Sequence, residues 1–215
     1  NAKPRRVSAV LERYFGEFPA STTNNKRRQP LLLPPFDISR NNGLHQCHTI
    51  WGLRIPSIFS PDSIIFSLLS NLLAGPGMNS LLNVELRERR GLVYTVESST
   101  VNYTDCGVLT IYYGCDTESS RRCRDVMRRS LSYVASQKIT RRRFEEAKHQ
   151  YIGQLTVARE NNEQRALSAG RRMMYFNEVA SSERRRKDIA DITYERFSEV
   201  ASTLSPDNFS ILTLT

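Results

Sequence analysis

Apolar positions along this chain follow a helical period in some stretches and a strand period in others, and the order of the two sketches a fold. Val7, Val10, Leu11 and Tyr14 share one face of a predicted helix over residues 4–16, with Gly16 as its stop signal. The period then disappears. From Pro19 to Pro35 the chain is rich in Ser, Thr, Asn, Lys, Arg and Pro, with Leu31, Leu32 and Leu33 set among prolines. That stretch reads as a linker holding a domain boundary. Cys47 to Ile55 is β-branched and apolar and stops at Pro56, the pattern of a core strand. Next, Ile64, Ile65, Leu68, Leu69, Leu72 and Leu73 repeat at helical spacing up to Gly75, with Ser60 as the expected N-cap and Pro61 at the first helical position. Residues 78–90 predict a second helix that ends in arginines and a left-handed cap at Gly91.

Leu92 to Asn102 and Gly107 to Cys115 read as two strands joined by the turn Tyr103-Thr104-Asp105, a hairpin. Helical spacing returns over 118–136, with Cys123, Val126, Met127 and Val134 as its stripe. It continues over 140–160, where Phe144, Ala147, Tyr151, Leu155 and Ala158 recur, and over 163–176 and 193–203. Phe209 to Thr215 alternates and predicts a final strand. Helices and strands in mixed order with hairpin connections imply an α+β fold: a largely antiparallel sheet with helices packed on one face, rather than a doubly wound parallel sheet.

Composition adds limits. The 215 residues, 39% of them hydrophobic and 25% charged, suit one globular domain with a real core. The densest apolar run, Ile64 to Leu73, is well short of the ~20 residues a membrane-spanning helix needs. The formal charge of +9 raises nucleic acid or an anionic membrane as a partner. Its placement points elsewhere: Arg121, Arg122, Arg124, Arg128 and Arg129, then Arg141 to Arg143 and Arg184 to Arg186, fall mostly opposite the apolar stripes, as on solvated helix faces. Neither nucleic acid nor membrane is therefore the expected partner. Asn1-Ala2 has the look of a remnant of tag cleavage, and no signal peptide is visible. The compartment stays open between cytoplasm and periplasm, leaning to the cytoplasm. Cys47, Cys106, Cys115 and Cys123 contain no CxxC pair and are expected as free thiols.

Zinc catalysis needs about three protein ligands around an open position. The chain has His45, His48 and His149. The first two lie at a strand start, where side chains three apart face opposite ways, and the third is alone on a helix. No metal site is expected from them. No GxSxG, phosphate-binding loop or nucleophile with a neighbouring base is present either. The sequons beginning at Asn102 and Asn208 carry little weight without evidence of secretion.

The most informative stretch runs Leu72-Leu73-Ala74-Gly75-Pro76-Gly77-Met78-Asn79-Ser80-Leu81-Leu82, then Leu86-Arg87-Glu88-Arg89-Arg90-Gly91-Leu92-Val93-Tyr94. A glycine-rich turn, a helix and Arg-Glu-x-Arg-Gly-Leu-x-Tyr leading into a hairpin resemble the C-terminal half of the pitrilysin and insulinase zinc metallopeptidases, which are similar to mitochondrial processing peptidase subunits. Phe144-Glu145-Glu146-Ala147-Lys148 lies at the expected distance downstream. The resemblance runs from about Val7 to Thr215 and implies a domain plan. Residues 1–18 would be the tag remnant and the last helix of the preceding half, 19–36 the linker, and 37–215 the C-terminal peptidase-like domain.

In that family two homologous α+β halves close around a peptide, and the first half holds zinc on an HxxEH motif absent here. The resemblance thus implies no cofactor in this half, zinc in the parent enzyme held by the other half, and a fragment inactive alone. The implied partners are that N-terminal zinc-binding half, in the same chain or a partner subunit, and a peptide substrate. Arg87 and Tyr94 match in type and spacing the pair that the second half extends toward the substrate. A guanidinium and a phenol suit the negative charge that builds on a peptide carbonyl oxygen during hydrolysis. From the residues alone, Arg87 serving a helix C-terminus and Tyr94 packing in the sheet is the other reading. Gly75 and Gly77 match a loop implicated in substrate handling, and equally suit a helix end with a tight turn. The implied function is the non-zinc half of a metalloendopeptidase, closing on peptide and assisting transition-state stabilisation. The alternative is an inactive scaffold subunit paired with an HxxEH-bearing partner.

Overall fold

The computed structural model describes residues 3–18, 28, 30–158, 160–179 and 182–215, the side chain of Ser182 apart. Asn1-Ala2 and most of the linker 19–36 lie outside the described residues. The elements run α1 (Pro4–Phe15), β1 (Asp37–Arg40), β2 (Cys47–Ile55), α2 (Ser63–Ala74), a π turn (Asn83–Glu88), β3 (Thr95–Asn102), β4 (Gly107–Cys115), α3 (Ser120–Ala135), α4 (Arg141–Ala158), α5 (Asn162–Phe176), α6 (Ser182–Ala190), α7 (Tyr194–Ala201) and β5 (Ser210–Leu214).

The strands form one sheet in the order β1-β5-β2-β4-β3, antiparallel except for the β1–β5 pair. The strict alternation in β2 sends Cys47, Thr49, Trp51, Leu53 and Ile55 to one face, where they meet Leu109, Ile111, Tyr113 and Cys115 of β4 in register. Against this face pack α2 through Leu68, Leu69 and Leu72, α3 through Met127, Leu131 and Val134, and α7 through Phe197. Each such leucine adds about 1.5–3 kcal/mol by leaving water. The other face, which carries His48, Ile50 and Arg54 beside Val108, Thr110 and Tyr112, is half-buried or exposed. The fold is the expected α+β layer.

Several boundaries differ from the sequence reading. The helix expected from Ser60 begins at Ser63 with Asp62 at its N-cap, because residues 58–62 form turns and the Ser60 hydroxyl accepts from the Asp62 amide at 3.3 Å. The strand expected from Leu92 begins at Thr95, because Leu92 and Val93 are drawn into the core by the turn at Gly91. The helix expected over 78–90 is a brief helical start at Leu81 followed by the π turn. β1 falls outside every expected element. It is four exposed residues with no apolar pattern, and among the described residues it pairs with β5 alone.

Part of the arginine charge sits outside the core in ion pairs. Arg124 pairs with Asp37, Arg128 with Asp207 and Arg141 with Glu195, while Arg196 grips Asp62 through two bonds of 2.9 and 2.6 Å. The solvated-face reading of these residues holds for α3, where Arg121, Arg122 and Arg129 are exposed. Such exposed pairs add little to stability, because water and salt screen them. Among the described residues, no helix is long and apolar enough to cross a membrane.

Candidate functional site

The site residues lie where the π turn ends and the chain reverses into the hairpin. A π turn carries one residue more than an α turn, which shifts the positions beyond it around the axis, and such turns recur at functional sites. Here its mark is the Arg89 amide bonding back five residues to the Val84 carbonyl, at 3.0 Å. The turn is anchored on both sides. Asn83 donates to the buried Ser80 hydroxyl at 2.8 Å, and Leu86 is wholly buried. Gly91 then adopts φ +58°, with its amide on the Arg87 carbonyl and the Leu92 amide on the Leu86 carbonyl, both at 2.8 Å. This is a left-handed helix cap with paired reverse bonds, a backbone state that glycine reaches without strain. Leu92 and Val93 plug the core behind it.

Arg87 and Tyr94 are therefore held on either side of a rigid reversal. Both are exposed, Tyr94 by 55%. The three arginines of this turn differ in their partners. Glu85 takes Arg89 on one carboxylate oxygen and Arg90 on the other, each at 2.6 Å, and its carbonyl also accepts from Arg90. Among the described residues no hydrogen bond or ion pair engages the Arg87 guanidinium. Tyr94 is tied by its amide to the Gly114 carbonyl at 3.0 Å, and its hydroxyl donates to Asp116 Oδ1 at 2.5 Å. That bond to a carboxylate holds the phenol above its ordinary pKa. Asp116 and Glu85 were not singled out in the sequence. Glu85 has a local signal, its place four residues before Arg89. Asp116 has none, being 22 residues from Tyr94.

Gly75 and Gly77 lie away from this pair, over the end of α2. A Cβ on Gly75 would stand 2.6 Å from the Asn71 carbonyl oxygen and 2.9 Å from its Cα, so the close turn requires glycine there. At Gly77 the obstacles are the ends of Gln150 and Asn79 side chains. Those two amides exchange bonds of 2.8 and 3.0 Å, fastening the turn to α4. Beneath it a cleft of about 170 Å³ opens between α2, β3 and α4, lined by Ser67, Ser70, Asn71, Ser98, Thr100 and Tyr151 among others. Hydroxyls and an amide line it, which are poor ligands for zinc.

The histidines do not converge. His45 and His149 are exposed, and His48 Nδ1 bonds the Tyr112 hydroxyl at 2.8 Å on the open sheet face. Among the described residues, no group of three His, Cys, Asp or Glu side chains is placed to hold a metal ion. These residues do not fit a zinc site.

Residues 1–151 match the family described as Peptidase M16 inactive domain. The chain belongs to that family. This M16 inactive domain is 23% identical over 204 residues to the uncharacterized zinc protease YmxG of Bacillus subtilis, covering 94% of the chain and 49% of that protein. It is 33% identical over 162 residues to an uncharacterized zinc protease of Mycobacterium tuberculosis, covering 74% of the chain and 36% of that protein. The chain thus spans about half the length, or less, of these relatives. Among solved structures it is similar to the peptidase M16 inactive domain from Pseudomonas fluorescens, with a TM-score of 0.78 at 18% identity over 99% of this chain and 51% of that one. A protease from Helicobacter pylori gives 0.77 at 14% identity, over 100% and 53%. At such identities the likeness shows the fold. The M16 inactive domain is the non-catalytic C-terminal half of a zinc metallopeptidase family.

Proposed function

We propose that this half closes over a peptide held by a zinc-bearing N-terminal half, and that Arg87 and Tyr94 stabilise negative charge on the scissile carbonyl oxygen. Metal chemistry belongs to the other half. What this chain contributes is a cation and a phenol on a rigid turn, already oriented when the oxyanion forms. The observation that carries the reading is the position of the Arg87 guanidinium: Glu85 engages Arg89 and Arg90, and Arg87 stays open to solvent on the turn that presents Tyr94. The single Tyr94 hydroxyl proton is held by Asp116, and it turns from that carboxylate to the oxyanion as charge develops there.

The domain plan follows the same reading. α1 is the last helix of the preceding half, and that half covers its apolar face; the linker 19–36 joins it to the domain 37–215. Gly75 and Gly77 hold the turn that closes α2, with a substrate-handling role secondary to that.

In the full-length parent, Arg87→Ala and Tyr94→Phe are each expected to lower turnover by about one to three orders of magnitude, as losses of charge-stabilising donors do. Steady-state cleavage of a fluorogenic peptide measures it. Unchanged kinetics in both variants would remove the assignment and leave this half as a scaffold.

A further inference from the structure

We propose that the Asp116 carboxylate is a two-position switch: it holds the Tyr94 phenol while the site is empty and swings to the unfilled cap of the following helix when that phenol engages the oxyanion. Asp116 sits where β4 ends. Its backbone is extended, with φ −66° and ψ 146°, and its carbonyl accepts the Ser119 amide at 2.9 Å, opening a 3-10 turn (Thr117–Ser119) that runs straight into α3. These are the marks of a helix N-cap, a place where aspartate ordinarily turns its carboxylate onto an amide two or three residues on. Here it does not. No side-chain cap bond is made, and among the described residues the Glu118 amide has no hydrogen-bond partner.

What diverts the carboxylate is Tyr94. The Tyr94 amide bonds the Gly114 carbonyl at 3.0 Å, so the register of β3 against β4 sets the phenol beside the residue that follows Cys115. Its hydroxyl donates to Asp116 Oδ1 at 2.5 Å. Both residues are exposed, so packing locks neither side chain in place. A charged acceptor makes such a bond stronger than one between neutral groups, and it keeps the phenol above its ordinary pKa. The Glu118 amide and the Tyr94 hydroxyl thus compete for one carboxylate, and the phenol holds it.

The exchange follows from the charges. When Tyr94 turns to the oxyanion, a carboxylate left in its present position would stand beside a second negative charge and oppose the charge that the phenol stabilises. Swung to the cap, it gains a hydrogen bond from the Glu118 amide and lies against the positive end of the α3 dipole. One hydrogen bond is traded for another, and the proton stays on the phenol. Asp116 is therefore a positioning residue that acts through Tyr94. Its effect on turnover rests on the role of Tyr94 proposed above, whereas the exchange itself does not.

In the 215-residue chain, Tyr94→Phe removes the hydroxyl donor and imitates its departure. Amide hydrogen exchange and the proton chemical shift of Glu118, followed by NMR in the isotope-labelled chain, read the cap. Exchange at Glu118 is expected to slow by about fivefold in Tyr94→Phe, with a downfield shift. It should return to the unaltered rate when Asp116→Ala is added. An unmoved Glu118 amide in Tyr94→Phe would overturn the switch, as would a slowing that survives the loss of Asp116. Tyr94→Phe deletes a single exposed hydroxyl, so misfolding does not stand in for the answer. Kinetics in the full-length parent test the positioning. Asp116→Ala should lower kcat by about tenfold, leave KM unchanged and add nothing in the Tyr94→Phe background. Asp116→Asn, which can both accept from the phenol and cap the helix, should restore most of that loss. An equal fall in kcat with Tyr94→Phe already present would place the effect in the start of α3 and overturn the positioning role. If Tyr94→Phe alone leaves turnover unchanged, the catalytic assignment falls, while the Glu118 amide still decides the switch.

Discussion

Helices α1 and α2 are each 12 residues long, and each shows a helical repeat of apolar residues in the sequence; α2 buries eight of its residues and α1 none. Local pattern made both helices. What separates them is what lies opposite. α2 meets the sheet face built by Trp51, Ile111 and their neighbours, whereas Val7, Val10, Leu11 and Tyr14 of α1 all stay exposed, by 43% to 65%. An amphipathic period says that a helix has a side to cover and leaves open which surface covers it. α5 makes the same point from the other end of the chain. It is well capped, with Asn161 accepting from the Gln164 amide and Asn177 in the left-handed state, and it buries no residue.

The sharpest way to break this contrast is in α2. Leu68→Ala is expected to destabilise the chain by ~2–5 kcal/mol through lost burial and the cavity left behind, measured by urea denaturation. A loss no larger than that at an exposed site would mean the sheet face does not hold α2. The next effect in size concerns the contact that locks the later helices to the core. Lys148, only 8% exposed, donates to the carbonyls of Ala190 and Ile192 at 2.8 and 2.9 Å, closing the end of α6 with a charge. Lys148→Met keeps the packed stem against Phe144 but strands those carbonyls, and should cost about 1–3 kcal/mol while faster amide exchange appears in α6 and α7. Smallest is Leu11→Ser on α1, with a change within about 0.5 kcal/mol in this chain. A larger loss would show α1 to be packed on the domain after all.

The elements legible in the sequence were those whose pattern is local. β2 matches its expected span at both ends because its alternation and the Pro56 that stops it are both written within ten residues. β1 was invisible because four exposed residues carry no alternation, and its pairing residues lie at Ile211 to Leu214, at the far end of the chain. The candidate site divides in the same way. Arg87, Tyr94 and Gly91 belong to one short motif. Asp116, which holds the Tyr94 phenol, comes beside it only when β4 is laid against β3.

The lone parallel pairing at the sheet's rim has a mechanical consequence. β1 and β5 run in the same direction, with Asp37 beside Ile211 and Arg40 beside Leu214, and Thr215 donates its amide to the Arg40 carbonyl at 3.0 Å. Tension applied through the segment before Asp37 and the end at Thr215 pulls the two strands along their length in opposite senses. The rungs between them are then loaded together, in shear, rather than peeled one after another.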